Sequence, residues 1–76
     1  MNNQRRKKIE KLSEELSELK DKLEEIMEEE QECLDNIPEN LQDTERYETA
    51  EEAVNALVCA VSSIDEALDN LETAIE

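Results

Sequence analysis

The segment DNIPENLQDT, residues 35–44, interrupts a chain that otherwise shows helical periodicity almost from end to end. Pro38 disfavours helical geometry at the residue before it, so a first helix is expected to end at or before Asn36. Residues 38–41 can form one short helical turn, because proline is tolerated where its missing N–H has no partner. The segment therefore predicts two long helices joined by a short connection.

The second helix has more than one possible start. Asp43 or Thr44 can act as its N-cap, and Thr49 begins a capping box with Glu52. We favour Thr44, because Tyr47 then belongs to the helical register that follows. The predicted bounds are about 3–35 for helix 1, 36–43 for the loop and about 44–76 for helix 2, with residues 1–8 a basic segment expected to fray.

The composition is typical of long helices. The 76 residues include no glycine, one proline and one aromatic residue, and 41% of them are charged. Without glycine most tight turns are disfavoured, so an all-α fold is expected. A single domain over residues 9–76 is expected from the length. Since a chain this short buries only a modest part of its surface, a monomer should be marginal without a partner.

Both predicted helices contain the apolar heptads of coiled coils. With Ile9 as position a, the a and d positions of helix 1 are Ile9, Leu12, Leu16, Leu19, Leu23, Ile26, Glu30, Cys33 and Ile37, and Met27 and Leu34 widen the stripe at position e. With Tyr47 as position a, those of helix 2 are Tyr47, Ala50, Val54, Leu57, Val61, Ile64, Leu68, Leu71 and Ile75. The two stripes predict an antiparallel hairpin, in which the Tyr47 hydroxyl is expected to donate a hydrogen bond to Glu30.

Helix 2 has more apolar surface than a two-helix hairpin can cover. Its g positions are all small, namely Ala53, Ala60, Ala67 and Ala74, which lets a second helix come close and widens the seam to positions a, d and g. Residues 53–64, AVNALVCAVSSI, contain no charge, and Ala56, Val58, Cys59, Ser62 and Ser63 lie outside this stripe. A helix that is uncharged on all sides is usually buried on all sides. We therefore predict a homo-oligomeric bundle, with four helices if it is a dimer. Its predicted interface consists of Ala53, Ala56, Leu57, Val58, Cys59, Ala60, Ser63, Ile64 and Ala67.

The net charge of −15 is unevenly distributed. Five basic side chains against one acidic side chain give residues 1–11 a net charge of +4, whereas 22 acids against three bases give residues 12–76 a net charge of −19. Such a surface repels phosphate backbones and favours basic proteins, so the acidic body is not expected to bind nucleic acid. The predicted partner-binding acidic face consists of Glu24, Glu25, Glu28, Glu29 and Glu32.

The sequence contains little that catalysis requires. Without histidine, the Ser/His/Asp and Cys/His arrangements cannot form, and without glycine there is no phosphate-binding loop. Cys33 and Cys59 lie on different predicted helices, and we expect free thiols in a reducing cytosol and no zinc site. The longest uncharged run has twelve residues and is too short to span a bilayer, which takes about 20. No enzymatic activity, metal, cofactor or membrane insertion is therefore expected.

Residues 33–76 resemble small acidic proteins of phages and prophages of Gram-positive bacteria. In that group a helix ends near an N-(I/M)-P-E-(N/S)-L-Q segment, and Asp/Glu-Arg-Tyr and a helix rich in Ala, Glu and Leu follow. Here the corresponding residues are Asn36–Gln42 and Glu45–Tyr47. The resemblance implies phage origin and a helical hairpin, and it implies no catalytic residues because the group has no settled activity.

These observations favour an acidic interaction protein of the bacterial host cytosol. It would assemble with itself and inhibit a basic host protein, such as a defence component or a nucleic-acid-handling protein, and mimicry of nucleic acid is one way to do so. An oligomer that sequesters a small nucleotide signal is an alternative, with Arg46 and Tyr47 as the possible ligand contacts. A structural or accessory factor in phage assembly is another.

Overall fold

The computed structural model describes all residues from Met1 to Glu76 and contains two long helices packed as an antiparallel hairpin. Helix α1 spans Asn3–Asp35, helix α2 spans Glu45–Ile75, and a short 3-10 turn at Glu39–Leu41 lies between them. The molecule is a rod of 59 × 15 × 13 Å. The predicted all-α hairpin is therefore confirmed.

Side-chain and backbone caps mark the ends of α1. The Asn2 side chain accepts a hydrogen bond from the Arg5 backbone N–H at 2.8 Å, and this cap makes the basic segment helical from Asn3 onward. At the other end, the Asn36 backbone N–H donates to the Glu32 carbonyl at 3.1 Å. Pro38 then has an extended backbone, with φ −58° and ψ 146°, so the helix cannot continue through it.

Thr44 is the N-cap of α2. Its hydroxyl oxygen accepts a hydrogen bond from the Tyr47 backbone N–H at 3.3 Å and donates one to the Leu41 carbonyl at 2.7 Å. Thr49 lies inside the helix, where its hydroxyl donates to the Glu45 carbonyl at 3.0 Å. Of the two threonines considered from the sequence, Thr44 therefore starts the helix and Thr49 continues it.

The core is a single seam between the two helices. Only Leu34 and Val54 are buried, with 7% and 3% of their surface exposed. On α2, every a and d residue from Tyr47 to Ile75 is buried or half-buried, as the heptads predict. On α1, the buried or half-buried residues are Ile9, Leu16 and Leu23 at position a, Arg6, Ser13, Lys20, Met27 and Leu34 at position e, and Glu24 at position b.

The a/d seam predicted for helix 1 is confirmed at Ile9, Leu16 and Leu23 of position a and is wrong at position d, whose residues do not take part in the seam. Leu12 and Leu19 are each 57% exposed, Ile26 is 51% exposed, and Cys33 is also exposed. A single partner helix can cover only one side of a wide apolar stripe. Helix α2 covers the side of the α1 stripe that contains Met27 and Leu34 at position e. The d positions on the other side of that stripe therefore stay uncovered.

An ion-pair cluster joins the two helices near the middle of the hairpin. The Lys20 ammonium contacts the Asp65 carboxylate at 2.6 Å and the Glu24 carboxylate at 3.4 Å. The hydrogen bond to Asp65 is the main reason why the pKa of Lys20 is raised above its ordinary value. Near the termini, the Arg6 guanidinium donates to the Glu76 carbonyl at 3.5 Å. Both contacts join residues of the two helices that lie at the same level of the rod.

The hairpin exposes much more surface than a compact protein of its mass. A folded monomer of 8.8 kDa is expected to expose roughly 4,800 Å². This chain exposes 6101 Å², and its radius of gyration of 17.4 Å exceeds the roughly 11 Å of a compact 76-residue domain. Neither helix is long and apolar enough to cross a bilayer.

Candidate interaction surfaces

One side of the hairpin, which we call the open face, combines apolar residues of both helices. In an antiparallel pair the g positions of the two helices lie on the same side of the seam, and d neighbours g on the helix surface. The d residues of α1 and the g residues of α2 therefore share one face. The open face consists of Leu12, Leu19, Ile26 and Cys33 of α1 with Ala53, Ala60, Ala67 and Ala74 of α2.

Two clefts at the loop end show that these positions are neighbours. Cys33 of α1 and Arg46 of α2, which are d and g residues, line the same cleft. Glu30, an a residue of α1, and Ala53, a g residue of α2, line an adjoining one. Residues of both helices therefore share this side of the hairpin at its loop end.

The structure divides the predicted oligomer interface among several sides of α2. Leu57 and Ile64 are half-buried in the seam against α1, so they contribute to the hairpin itself. Ala53, Ala60 and Ala67 belong to the open face, and Ala60 is the only half-buried residue of the three.

The other predicted interface residues are exposed, and the heptad assigns them to different rows. Ala56 and Ser63 occupy position c, directly beside the open face, whereas Cys59 occupies position f on the outer side of α2. Val58, 46% exposed, lies at position e on the opposite side of the seam from the alanines. One flat partner surface cannot contact Val58 and Ala60 together, so the complete predicted set is not one interface.

The loop-end cleft has a volume of about 540 Å³ and contains both predicted ligand contacts, Arg46 and Tyr47. It is lined mainly by apolar side chains of the helix ends and the loop, including Leu34, Ile37, Pro38 and Leu41, and Glu30 contributes a carboxylate. The expected hydrogen bond from the Tyr47 hydroxyl to Glu30 is absent, so that prediction is wrong. Glu30 is exposed to solvent, which stabilises its charge without a partner.

The predicted acidic face is divided between one paired and four unpaired carboxylates. Glu24 is half-buried and contacts Lys20, so it belongs to the ion-pair cluster of the seam. The remaining four are exposed and form no ion pair, namely Glu25, Glu28, Glu29 and Glu32. They lie on the part of α1 that faces away from α2, where a partner protein can reach them.

Sequence reasoning missed the role of Lys20 and Asp65. Both residues occupy position e, and e positions face each other in an antiparallel pair, so opposite charges there were a detectable signal for the register.

Comparison of the chain with protein families, curated proteins and solved structures gives no significant match.

Proposed function

We propose that this protein is a non-enzymatic, homo-oligomeric interaction protein of phage type, whose acidic surface binds and inhibits a basic host protein. The observation that supports it most is the row of unpaired carboxylates on the outer side of α1, at Glu25, Glu28, Glu29 and Glu32. Like charges this close repel one another and destabilise a helix. A partner with lysine and arginine side chains relieves this repulsion when it binds.

The geometry of the rod suits an extended basic groove. Carboxylates at Glu25, Glu28 and Glu32 follow a 3-4 spacing, so they lie along one line of the helix over about 10 Å. A groove that normally binds a nucleic-acid backbone presents lysine and arginine side chains that neutralise phosphates. Complementary charge of this kind speeds association and makes the complex sensitive to salt.

The proposed phage origin is supported by the resemblance of residues 33–76 to small acidic proteins of phages and prophages of Gram-positive bacteria.

The test compares two variants that remove the same amount of charge. One carries Glu25→Gln, Glu28→Gln and Glu32→Gln on α1, and the matched control carries Glu51→Gln, Glu66→Gln and Glu72→Gln on α2. Each is used to capture proteins from a bacterial lysate at low and high salt, with identification by mass spectrometry. We expect the α1 variant alone to lose a discrete basic protein, which high salt also releases. Equal loss in both variants, or capture that salt does not affect, contradicts the proposal.

A second candidate is sequestration of a small nucleotide, which the loop-end cleft favours because Arg46 and Tyr47 line it together. Arginine binds phosphate, and tyrosine can stack on a base. Isothermal titration with a panel of mono- and dinucleotides tests this function directly. Binding that is lost in Arg46→Ala would support sequestration, and the absence of heat for the whole panel would contradict it.

A further inference from the structure

We propose that the open face is covered by the open face of a second copy, with α1 antiparallel to α1 and Leu19 on the twofold axis. This inference deepens the proposed function by specifying how the homo-oligomer forms. It depends on that proposal only for self-association, and binding of a host protein can fail without affecting it.

The exposed area matches what a dimer needs. The chain exposes about 1,300 Å² more than a compact protein of its mass. A stable protein–protein interface takes about 800 Å² from each partner. Three large apolar side chains, Leu12, Leu19 and Ile26, lie in one row at seven-residue intervals, and more than half of each is exposed. A second copy can therefore cover this row and pair with Glu29 at its edge, and it still leaves Glu25, Glu28 and Glu32 on the outer side of α1 uncovered.

The charges beside this row determine the direction of pairing. The g residues of α1 that flank it are Lys8, Glu15, Lys22 and Glu29. In an antiparallel pair with Leu19 on the axis, a residue of one copy faces the residue of the other copy that is equally far from Leu19 in the opposite direction. The residue numbers of two g residues that face each other therefore add up to about 38. Lys8 then faces Glu29 of the second copy, and Glu15 faces Lys22. All four contacts in the symmetric dimer join opposite charges.

Parallel pairing lacks these attractive contacts. The g rows of the two copies then lie on opposite sides of the contact, so Lys8 cannot face Glu29 and Glu15 cannot face Lys22. The acidic stretch over 24–32 would also lie beside itself, and like charges in apposition are unfavourable. In the antiparallel dimer the basic segment 1–11, with its net charge of +4, lies instead along the acidic stretch of the other copy.

Helix α2 is compatible with the same axis. All eight acidic residues of α2 occupy positions b, e and f, and its c and g positions hold no acid. The c positions are Thr49, Ala56, Ser63 and Asn70, and they lie directly beside the alanines of the open face. Two copies of α2 can therefore approach closely without repulsion between carboxylates.

The hairpin register also agrees. The contacts of Lys20 with Asp65 and of Arg6 with Glu76 place residues 63–66 at the level of Leu19. Ala60 and Ala67 lie on either side of this level, so Ala60 of one copy can face Ala67 of the second copy across the axis. The charges of α1 and the alanines of α2 thus fit one dimer, which is a four-helix bundle.

The test uses single cysteines in a full-length chain with Cys33→Ser and Cys59→Ser, since both native thiols are exposed. Leu19→Cys places two thiols at the axis, within the roughly 7 Å that a disulfide requires between Cα atoms. In Leu12→Cys the two thiols lie roughly 21 Å apart along the bundle at 1.5 Å per residue, so they cannot join. Leu12→Cys mixed with Ile26→Cys should form a mixed disulfide, because these positions face each other.

We expect a disulfide-linked dimer for Leu19→Cys and for the mixture, and none for Leu12→Cys alone. Efficient linkage of Leu12→Cys with itself overturns the antiparallel arrangement. The chain without cysteines should have twice the monomer mass of 8.8 kDa in light scattering. A monomeric mass at 100 μM, as expected if an unrelated protein or a lipid surface covers the open face, overturns the proposal.

A charge exchange provides the final check, since it does not depend on thiol chemistry. Lys8→Glu places two repulsive contacts in each dimer, and we expect the dimer dissociation constant to rise about tenfold. Combining it with Glu29→Lys restores both attractive contacts and should return the constant to within about twofold of the original. Failure of the double variant to recover contradicts the pairing, whether or not the protein still binds a host partner.

Discussion

The hairpin core is so small that one side chain should account for much of its stability. Leu34 is 7% exposed and packs in the seam near the loop, and Val54 is the only other buried residue. A domain of this length has a free energy of unfolding of about 4–11 kcal/mol. Truncation of a buried leucine to alanine costs about 2.7–5 kcal/mol, depending on how far the site can collapse.

Leu34→Ala should fall near the lower end of that range. Leu34 lines the loop-end cleft, so the space that its side chain vacates joins a surface that water already reaches. We expect a loss of about 3 kcal/mol, which lowers the urea midpoint by about 3 M at an m-value of about 1 kcal/mol/M. Circular dichroism at 222 nm during urea titration measures this change.

Leu19→Ala is the matched control because the same side chain is 57% exposed in the hairpin. In dilute protein it should cost less than about 1 kcal/mol, and its larger effect should appear only at concentrations where dimers form. The Leu34→Ala effect should be independent of concentration. If the two variants are equally destabilised in dilute protein, or if Leu34→Ala costs less than about 1 kcal/mol, this description of the core is wrong.

Three further predictions concern the seam, the cap and the open face. Ala60→Glu should abolish the dimer in light scattering, because it places a charge in the open face, whereas the exposed Ser17→Glu should leave the mass unchanged. Thr44→Ala should cost about 1 kcal/mol in urea titration through loss of the cap, whereas Thr49→Ala, at a helical position, should cost much less or nothing. Because the folded-state pKa of Lys20 is raised, its ion pair contributes stability at neutral pH that is lost as pH rises above 10.5, and Lys20→Gln should reduce the fall in urea midpoint between pH 9 and pH 11.

The sequence was sufficient for the fold because its signals are local. Pro38 ends one helix, Thr44 begins the next, and the heptads of α2 describe its buried face residue by residue. The face of α1 was harder to predict, because its apolar stripe covers positions a, d and e, and α2 can cover only part of it. Packing of Leu34 and the ion pair of Lys20 are non-local contacts, and periodicity within one helix does not contain them.

The candidate surfaces were predictable in part for the same reason. An excess of apolar surface can be read from composition, and it correctly indicated residues that the hairpin leaves exposed, among them Ala56 and Cys59. Which side of the rod each residue faces depends on where the partner helix lies. Val58 and Ala60, two residues apart, therefore lie on different sides of the seam, although both looked like interface residues in the sequence.

The contact between Arg6 and Glu76 means that both ends of the chain lie at the same end of the rod. Force applied to the two termini therefore opens the seam one helical turn at a time, starting at the contact of Arg6 with Glu76 and ending at the loop. Folding can proceed in the reverse direction, because the pairs nearest the loop close the shortest segments of chain and lose the least entropy. The ion pair of Lys20 with Asp65 lies between these limits, so it breaks after the contact of Arg6 with Glu76 and before the seam beside the loop opens.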